Sequence, residues 1–350
     1  MKQMLIQTKA PLAPYTSLRV GGDAETLVVC ETYTDTLEAI KTSPSQPTLL
    51  GFGSNSLVSE AGLPGTTIVW RGGAIERHNN TLIVDAGVWW DDLVKFAIKE
   101  DLWGLELMSE IPSSVGGAIF GNIAAYGQQV SDTLEWIEVY NQETLAVEKR
   151  DASEFHFAYR ESSLQSTPHL YILRASFALS ASPLHTLRYE SAITTANELQ
   201  CDTDTLTGLR EVIIETRRRA GSIYHPNDPQ AERTAGSFFK NPLVTTEQAI
   251  ELARFDETGK TLARIQEQSA IHGGSALRAS AAHVLLAAGF SRGQTWGRVR
   301  LHNRHVLKIE TLEGATASDV YTVAQEIIST VKEQLDITIT PEVRFLGKFN

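Results

Sequence analysis

The chain has 350 residues, a formal net charge of -11, and 42% hydrophobic and 21% charged residues. This is the composition of an ordinary folded protein, and it excludes a largely disordered or low-complexity chain. The negative charge argues against nonspecific binding to nucleic acid or to an acidic membrane, because both need a cationic surface. The sequence contains neither a signal-peptide core nor an apolar run of about 18 residues, so we expect a cytoplasmic protein without membrane contact.

The first half of the chain is predicted to be mixed in structure. Residues 26–70 alternate short β-rich runs with a helix at 34–41, which is typical of a small βαβ unit. A strand at 81–85 and a helix at 89–100 follow. From 105 to 128 helical periodicity is lost while Gly, Ser and Pro accumulate, which predicts a long functional loop region.

The second half continues with strands at 134–140 and 171–177 and a helix at about 205–219 that ends in three arginines. The polar, proline-containing stretch at 220–235 indicates a linker and a domain boundary. Further helices are predicted near 245–255 and 279–288, with two strands flanking residue 303.

A long helix over 317–335 is predicted near the C-terminus. Val320, Val323, Ile327 and Val331 recur at helical spacing on one of its faces. Thr316 with Asp319 three residues later forms the pattern of a helix N-terminus.

Two glycine-containing segments are candidate ligand sites. Residues 51–56, Gly-Phe-Gly-Ser-Asn-Ser, come directly after a strand, where backbone amides could bind a phosphate. A tight strand exit is the simpler explanation, and the segment lacks both the Rossmann spacing and the Lys of a nucleoside-triphosphatase loop. Residues 111–127 are apolar with four glycines, which suits equally a flat aromatic cofactor or a buried crossover.

Three further positions could carry chemistry. Tyr159 and Arg160 offer a phenol and a planar cation to an anionic ligand, although surface arginines are common. Ser237 follows a glycine before two phenylalanines, where a serine is more often a turn or cap residue. Glu342 lies between apolar neighbours and could either form a salt bridge to Arg344 or act as a buried acid.

These segments occur in an order that is typical of one bacterial flavoenzyme family. Together they resemble the UDP-N-acetylenolpyruvoylglucosamine reductase family over essentially the whole chain, and residues 187–191 resemble its branch with a Tyr-bearing loop. The segments that carry the resemblance are 15–22, 51–57, 111–127, 159–162, 236–242 and 339–344.

The resemblance implies an α+β protein. Its fold would be a two-subdomain FAD-binding fold of the PCMH/VAO-like type plus a C-terminal α+β substrate-binding domain. The expected ranges are 1–73 and 74–225 for the FAD-binding subdomains and 226–336 for the substrate-binding domain, with the strand at 337–350 a candidate to return to the second subdomain.

The resemblance also implies an activity. NADPH would reduce FAD, and FAD would reduce UDP-N-acetylglucosamine enolpyruvate to UDP-N-acetylmuramate for peptidoglycan synthesis. Arg160 and Glu342 match the family residues that stabilise charge on the substrate, and Ser237 matches the proton donor.

The binding residues implied by the resemblance fall into two sets, with no metal site. The FAD-binding set is Gly51, Gly53, Ser54, Asn55, Ser56, Leu57, Ile111, Pro112, Ser114, Val115, Gly116, Gly117, Asn122, Ala125, Tyr126 and Gly127. The substrate-binding set is Tyr159, Tyr189, Lys240 and Asn241.

One departure from the family pattern is the absence of Lys from the loop at 220–229, where the family binds the substrate diphosphate. His225 or Arg219 are candidate replacements. Two alternative functions remain open: a sugar or alcohol oxidase on the same FAD-binding fold, and a noncatalytic nucleotide-sugar binding protein. The sequence also leaves the oligomeric state open, a monomer being one of the choices.

Overall fold

The computed structural model describes residues 4–255, 259–271 and 276–349. Its contacts divide the chain into two units. Unit 1 comprises Met1–Ala10, Ala24–Gly53 and Leu63–Ala231, and unit 2 comprises Pro11–Asp23, Ser54–Gly62 and Glu232–Asn350. The finer boundaries expected at residues 73, 225 and 336 stay predictions.

Strands occur throughout both units. In chain order they are β1 Leu5–Pro11, β2 Asp23–Cys30, β3 Thr48–Leu50, β4 Ser56–Val58, β5 Leu63–Trp70, β6 Ile75–His78, β7 Thr81–Asp85, β8 Ala124–Ala125, β9 Gln128–Gln129, β10 Leu134–Asn141, β11 Ala146–Asp151, β12 Leu170–Ala178, β13 Thr234–Ser237, β14 Leu243–Val244, β15 Leu277–Arg278, β16 Thr295–Trp296, β17 Val299–Leu301, β18 Lys308–Thr311 and β19 Arg344–Leu346.

Helices are interspersed with the strands. They are α1 Tyr33–Thr42, α2 Trp90–Lys99, α3 Val115–Phe120, α4 Glu190–Leu199, α5 Leu206–Arg219, α6 Thr246–Ala253, α7 Thr261–Ile271, α8 Ala281–Ala287 and α9 Ala317–Leu335. Over the described ranges, no helix combines the length and the hydropathy needed to cross a bilayer.

Unit 1 contains two larger sheets that share one hydrophobic core. The first has the strand order β1-β2-β5-β3, and its β2–β5 and β3–β5 pairs are parallel, as expected for the predicted βαβ unit. The second is an antiparallel sheet of order β11-β10-β12-β7-β6. Ile68 of the first sheet and Val84 of the second are both fully buried in the common core.

Unit 2 is built around the antiparallel sheet β13-β18-β17-β16 and helix α9. Leu18, Val20 and Leu57, which come from the N-terminal part of the chain, are buried in the same core as α9. The C-terminal strand β19, expected as a candidate to join residues 74–225, instead pairs in parallel with β4 inside unit 2.

The predicted helix at 317–335 is confirmed, and the Thr316 and Asp319 side chains form the expected reciprocal cap. The long loop region predicted at 105–128 contains the short helix α3, because the Ser114 hydroxyl accepts a hydrogen bond from the Gly117 amide and caps it. Helix α4 was not predicted, because its Ser and Thr residues give weak helical signals.

A buried ion pair joins α2 to α5 in unit 1. The fully buried Asp91 carboxylate accepts hydrogen bonds from Arg210 Nη1 at 2.7 Å and Nη2 at 2.8 Å, and from the Glu110 amide at 2.7 Å. Burial by itself would raise the pKa of Asp91, but these donors outweigh it and hold that pKa well below its usual range.

Removing the guanidinium should therefore destabilise unit 1. We expect Arg210→Met to lower the free energy of unfolding by about 2–3 kcal/mol, because the buried Asp91 carboxylate loses two hydrogen bonds from a charged group and keeps Lys95 and the Glu110 amide. Because the pKa of Asp91 is depressed in the folded state, this contribution is present above pH of about 4 and is lost as the pH falls further.

Urea unfolding followed by tryptophan fluorescence measures the effect, since five of the six tryptophans lie in unit 1. The control is Arg218→Met on the same helix, because Arg218 lies at the surface beside Glu215 and its loss should change little. Equal unfolding midpoints for the two variants would contradict the prediction.

Candidate functional site

The first glycine segment begins where β3 ends. A Cβ placed on Gly51 would lie only 2.4 Å from Ser114 Oγ, so this position has room for glycine alone. Phe52 packs edge-on against Trp89 with ring centroids 4.4 Å apart, and the Arg71 guanidinium lies over the Phe52 ring. The two glycine segments predicted to bind FAD thus meet inside unit 1, at the contact between Gly51 and Ser114.

The second segment passes through the short helix α3. The Val115 amide donates to the carbonyl of Val88, and the Gly116 amide donates to the carbonyl of Ala86. Ile111 packs against the core of unit 1. The segment is therefore attached to the core along its length while Gly117 stays exposed at its surface.

Asn122 links this segment to the turn that carries Arg160. Its amide Nδ2 donates to the Ala158 carbonyl at 2.9 Å, and its Oδ1 accepts from the Ser131 amide. Ala158 and Glu161 exchange backbone hydrogen bonds, which places Tyr159 and Arg160 at the tip of a tight turn. Asn122 is predicted to bind FAD, but its amide group is engaged with the protein and positions this turn.

Tyr126, Tyr189 and Arg217 form a cluster at the end of the segment. The Tyr126 and Tyr189 rings meet edge-on at 5.6 Å, with Tyr189 at the N-terminal boundary of α4. Burial raises the pKa of Tyr126. Arg217 donates from Nη2 to the carbonyls of Glu110 and Ser222, while its buried Nε has no hydrogen-bond partner in the described part of the chain.

The three arginines at the end of α5 are therefore not equivalent. Arg219 forms ion pairs with Glu198 and Glu215 at the surface, whereas Arg217 points inward. His225 is the other candidate to replace the missing Lys, and its Nε2 lies 3.7 Å from Glu110 Oε2. The sequence signal that could have singled out Arg217 is its spacing of seven from Arg210, which places both on one face of the helix.

In unit 2, backbone pairing brings Ser237 and Glu342 together. The carbonyl of Phe238 accepts the Glu342 amide at 2.8 Å, and Phe239 pairs with Pro341. Asn55 Nδ2 donates to the Glu342 carbonyl, so one of the predicted FAD-binding residues joins this group. Ser56 and Leu57 continue into β4, which pairs with β19 just after Glu342.

Two predicted substrate residues follow Ser237. The Lys240 amide donates to the Thr340 carbonyl, and the Lys240 side chain is partly exposed. Asn241 Oδ1 accepts the Ala281 amide at 2.9 Å and thereby caps α8, and its carbonyl accepts from Arg278. Asn241 thus organises its surroundings through contacts within the protein.

These observations fit a large cofactor with anionic and aromatic parts. Gly51 lets the two segments pack closely at Ser114, the second segment presents small residues, and Arg217 keeps a buried donor without a partner among the described residues. Each segment also carries an aromatic ring, Phe52 in the first and Tyr126 in the second. The residues of unit 1 are therefore suited to the phosphates and the ring system of FAD.

Known proteins were compared with the whole chain. UDP-N-acetylenolpyruvoylglucosamine reductases from Streptomyces coelicolor and Thermobifida fusca are each 31% identical to it, over 97% and 96% of this chain and 89% and 97% of theirs. The enzyme of the same name from Mycobacterium tuberculosis is 31% identical over 98% of this chain and 95% of its own. The chain belongs to the UDP-N-acetylenolpyruvoylglucosamine reductase family.

The parts of the chain that match this family agree with the two units. Residues 24–145 match an FAD binding domain, and residues 228–346 match the C-terminal domain of UDP-N-acetylenolpyruvoylglucosamine reductase. The crystal structure of the reductase from Thermus caldophilus shares the fold, with a TM-score of 0.64 and 24% identity over 99% of this chain and all of that chain. The expected α+β fold class, an FAD-binding fold with a C-terminal domain, is confirmed.

Membership of the family does not test the individual catalytic, FAD-binding and substrate-binding residues, which stay predictions. In unit 1 the structure brings together Gly51, Ser114, Tyr126 and Tyr189, and it places Pro112, Ala125 and Gly127 along the same segment. In unit 2 it brings together Asn55, Ser237 and Glu342.

We expect Gly51→Ala to reduce FAD retention strongly, because the added methyl group would displace Ser114 and uncap α3. The measurement is the visible flavin absorbance per protein after gel filtration. The control is Gly121→Ala, since Gly121 ends α3 with φ of -93° and has ordinary contact distances around a Cβ. Full FAD content in Gly51→Ala would show that the close contact is not needed for binding.

Proposed function

We propose that this protein reduces UDP-N-acetylglucosamine enolpyruvate to UDP-N-acetylmuramate with NADPH, as a step in peptidoglycan precursor synthesis. The observation that carries the proposal is the backbone pairing of the Ser237 strand with the Glu342 segment, because it puts the proposed proton donor and the proposed carboxyl group on adjacent segments. The similarity to reductases of this name over nearly the full length supports it. We also propose that the protein works in the cytoplasm, and a monomeric state stays a prediction.

FAD, held by residues of segments 51–57 and 111–127, would supply the hydride chemistry, with NADPH as the hydride source and the terminal carbon of the enolpyruvyl double bond as the acceptor. The task left to the chain is to stabilise the charge that develops on the substrate carboxylate and to supply a proton to the neighbouring carbon. The product is then the lactyl ether, and the sum of the steps consumes one NADPH and one proton.

Ser237 is proposed to give that proton from its hydroxyl group. It follows Gly236, whose φ is +76°, and the Ser237 side chain is partly exposed. Within the described residues its hydroxyl makes no hydrogen bond, so it is available to a substrate. Aliphatic hydroxyl groups are weak acids, and the proton transfer therefore depends on charges close to Ser237.

Arg160 and Glu342 are proposed to stabilise the substrate carboxylate. Arg160 stands at the tip of its turn with φ of +55°, a conformation that is uncommon for a residue with a side chain and that the surrounding contacts hold in place. Its planar cation is suited to a carboxylate. Glu342 is fixed through its own amide to Phe238, so its side chain starts from a defined position.

The function is tested by following NADPH oxidation anaerobically with UDP-N-acetylglucosamine enolpyruvate and, as a matched control, with UDP-N-acetylglucosamine, which lacks the double bond. We expect oxidation only with the first compound and UDP-N-acetylmuramate as the product in mass spectrometry. Equal rates with both compounds, or no oxidation with either, would overturn the proposal.

Ser237→Ala should separate the two halves of the reaction. We expect reduction of the bound FAD by NADPH to keep nearly its normal rate, because that half needs no proton from Ser237. Transfer to the enolpyruvyl substrate should slow by roughly 100- to 10,000-fold. Stopped-flow absorbance measures each half, with the surface variant Ser329→Ala as the control. Equal slowing of both halves would remove Ser237 as the proton donor.

A further inference from the structure

A β-bulge determines which residue faces Ser237. Strands β13 and β18 are antiparallel, and Thr234 pairs with Glu310 while Ser237 pairs with Lys308. Two residues of β13 therefore oppose only one residue of β18 between these pairs, and Gly236 takes up the extra length at φ of +76°. The Phe238 amide donates to the Leu307 carbonyl at 2.8 Å and fixes this register.

Residues that pair directly in an antiparallel sheet project from the same face, with Cβ atoms about 4.5–5.5 Å apart. Lys308 is therefore a neighbour of Ser237, and its four-carbon side chain is long enough to bring the ammonium group to the hydroxyl. Lys308 is only 2% exposed, although lysine is among the residues most often found at the surface. A buried lysine therefore lies on the strand that pairs with Ser237.

Other charged groups lie around this pair. Glu310 projects from the same face two residues along β18, and its Oε2 accepts a hydrogen bond from Arg300 Nε at 2.7 Å. Burial, followed by the charge of Lys308, lowers the pKa of His305 to about 4, so this imidazole is neutral at pH 7. Glu342 and Lys240 stand on the segments next to Ser237.

We propose that Lys308 is a positioning residue for the proton transfer, whose charge on the strand paired with Ser237 stabilises, through space, the alkoxide left when the proton moves to the substrate carbon. This inference rests on the proposed function. No further reactant is needed, since the O–H bond of Ser237 breaks, a C–H bond forms, and Ser237 later regains a proton from solvent.

The effect of the charge near residue 237 can be measured without the enzymatic reaction. In a Ser237→Cys variant, the introduced thiol reports the local field through its pKa, which is about 8.5 for an ordinary cysteine. The Cys201→Ala background removes the partly exposed native thiol, and the buried Cys30 should not react. Alkylation rates of the FAD-loaded protein across a pH series then give the pKa of the introduced thiol.

We expect the pKa of this introduced thiol to lie below about 8.5 with Lys308 present and to rise by roughly 1–3 units in Lys308→Met. Lys308→Arg should keep the low value because it keeps the charge. Lys332→Met, at an exposed lysine of α9, is the matched control and should leave the pKa unchanged. The other charged groups around the site are the same in all of these variants, so the difference reports Lys308.

The same substitution is then made in the enzyme that retains Ser237. Lys308→Met should slow transfer to the enolpyruvyl substrate by roughly 10-fold or more while reduction of FAD by NADPH is unchanged, and Lys308→Arg should restore most of the rate. An unchanged pKa of the introduced thiol in Lys308→Met overturns the proposal, as does a shifted pKa with an unchanged transfer rate. Failure of the proposed function is a separate result, seen as absence of substrate-dependent NADPH oxidation by the unaltered enzyme.

Discussion

The arrangement of unit 1 depends on the hydrogen bonds that the buried Asp91 carboxylate accepts. This carboxylate joins α2, which carries it, to the amide of Glu110 at the start of the glycine-rich segment and to Arg210 on α5. Arg217 lies two helical turns beyond Arg210 and donates back to the carbonyl of Glu110. One buried charge therefore aligns the segment that lines the proposed FAD site with the helix that brings a cation to it.

Unit 2 achieves a comparable alignment mainly through main-chain groups, with one side-chain hydrogen bond from Asn55. Phe238 has no polar side-chain atoms and is fully buried, yet its amide donates to Leu307 and its carbonyl accepts from Glu342. These two hydrogen bonds place Ser237 beside Lys308 on one side and beside the Glu342 segment on the other. Because both of these bonds use the backbone, they place no requirement on the side chains of Ser237 and Lys308, which remain available for chemistry.

The sequence was most informative where structure is local. Helix α9 could be predicted to its terminal residues because Thr316 and Asp319 form a cap within one turn and its apolar face repeats regularly. The candidate site residues could also be located from the sequence. Their neighbours in space could not, because Lys308 pairs with Ser237 only through a bulge, and Asn122 forms a hydrogen bond with Ala158, 36 residues away.

Two predicted site residues, whose ligand-binding roles stay predictions, also have structural contacts that the sequence did not indicate. Asn122 and Asn241 carry amide groups that suit a ligand, and sequence reasoning assigned both to ligand binding. In the structure their amides hold the Arg160 turn and the start of α8. A sequence does not distinguish a polar side chain that binds a ligand from one that fixes the backbone beside it. The same residue types form both kinds of hydrogen bond, and they occur in the same segments.

The assembly of unit 2 from three separate stretches also governs when it can fold. Leu18, Val20 and Leu57 leave the ribosome early, but the core that buries them is completed by α9 and by β19, the strand that pairs with β4. Those N-terminal segments must remain without their partners until nearly the whole chain has been synthesised. A fragment beginning at Glu232 would lack the core side chains of Leu18, Val20 and Leu57 and the strand β4 with which β19 pairs. We therefore expect it to fold poorly by itself, although residues 228–346 match a single domain in sequence.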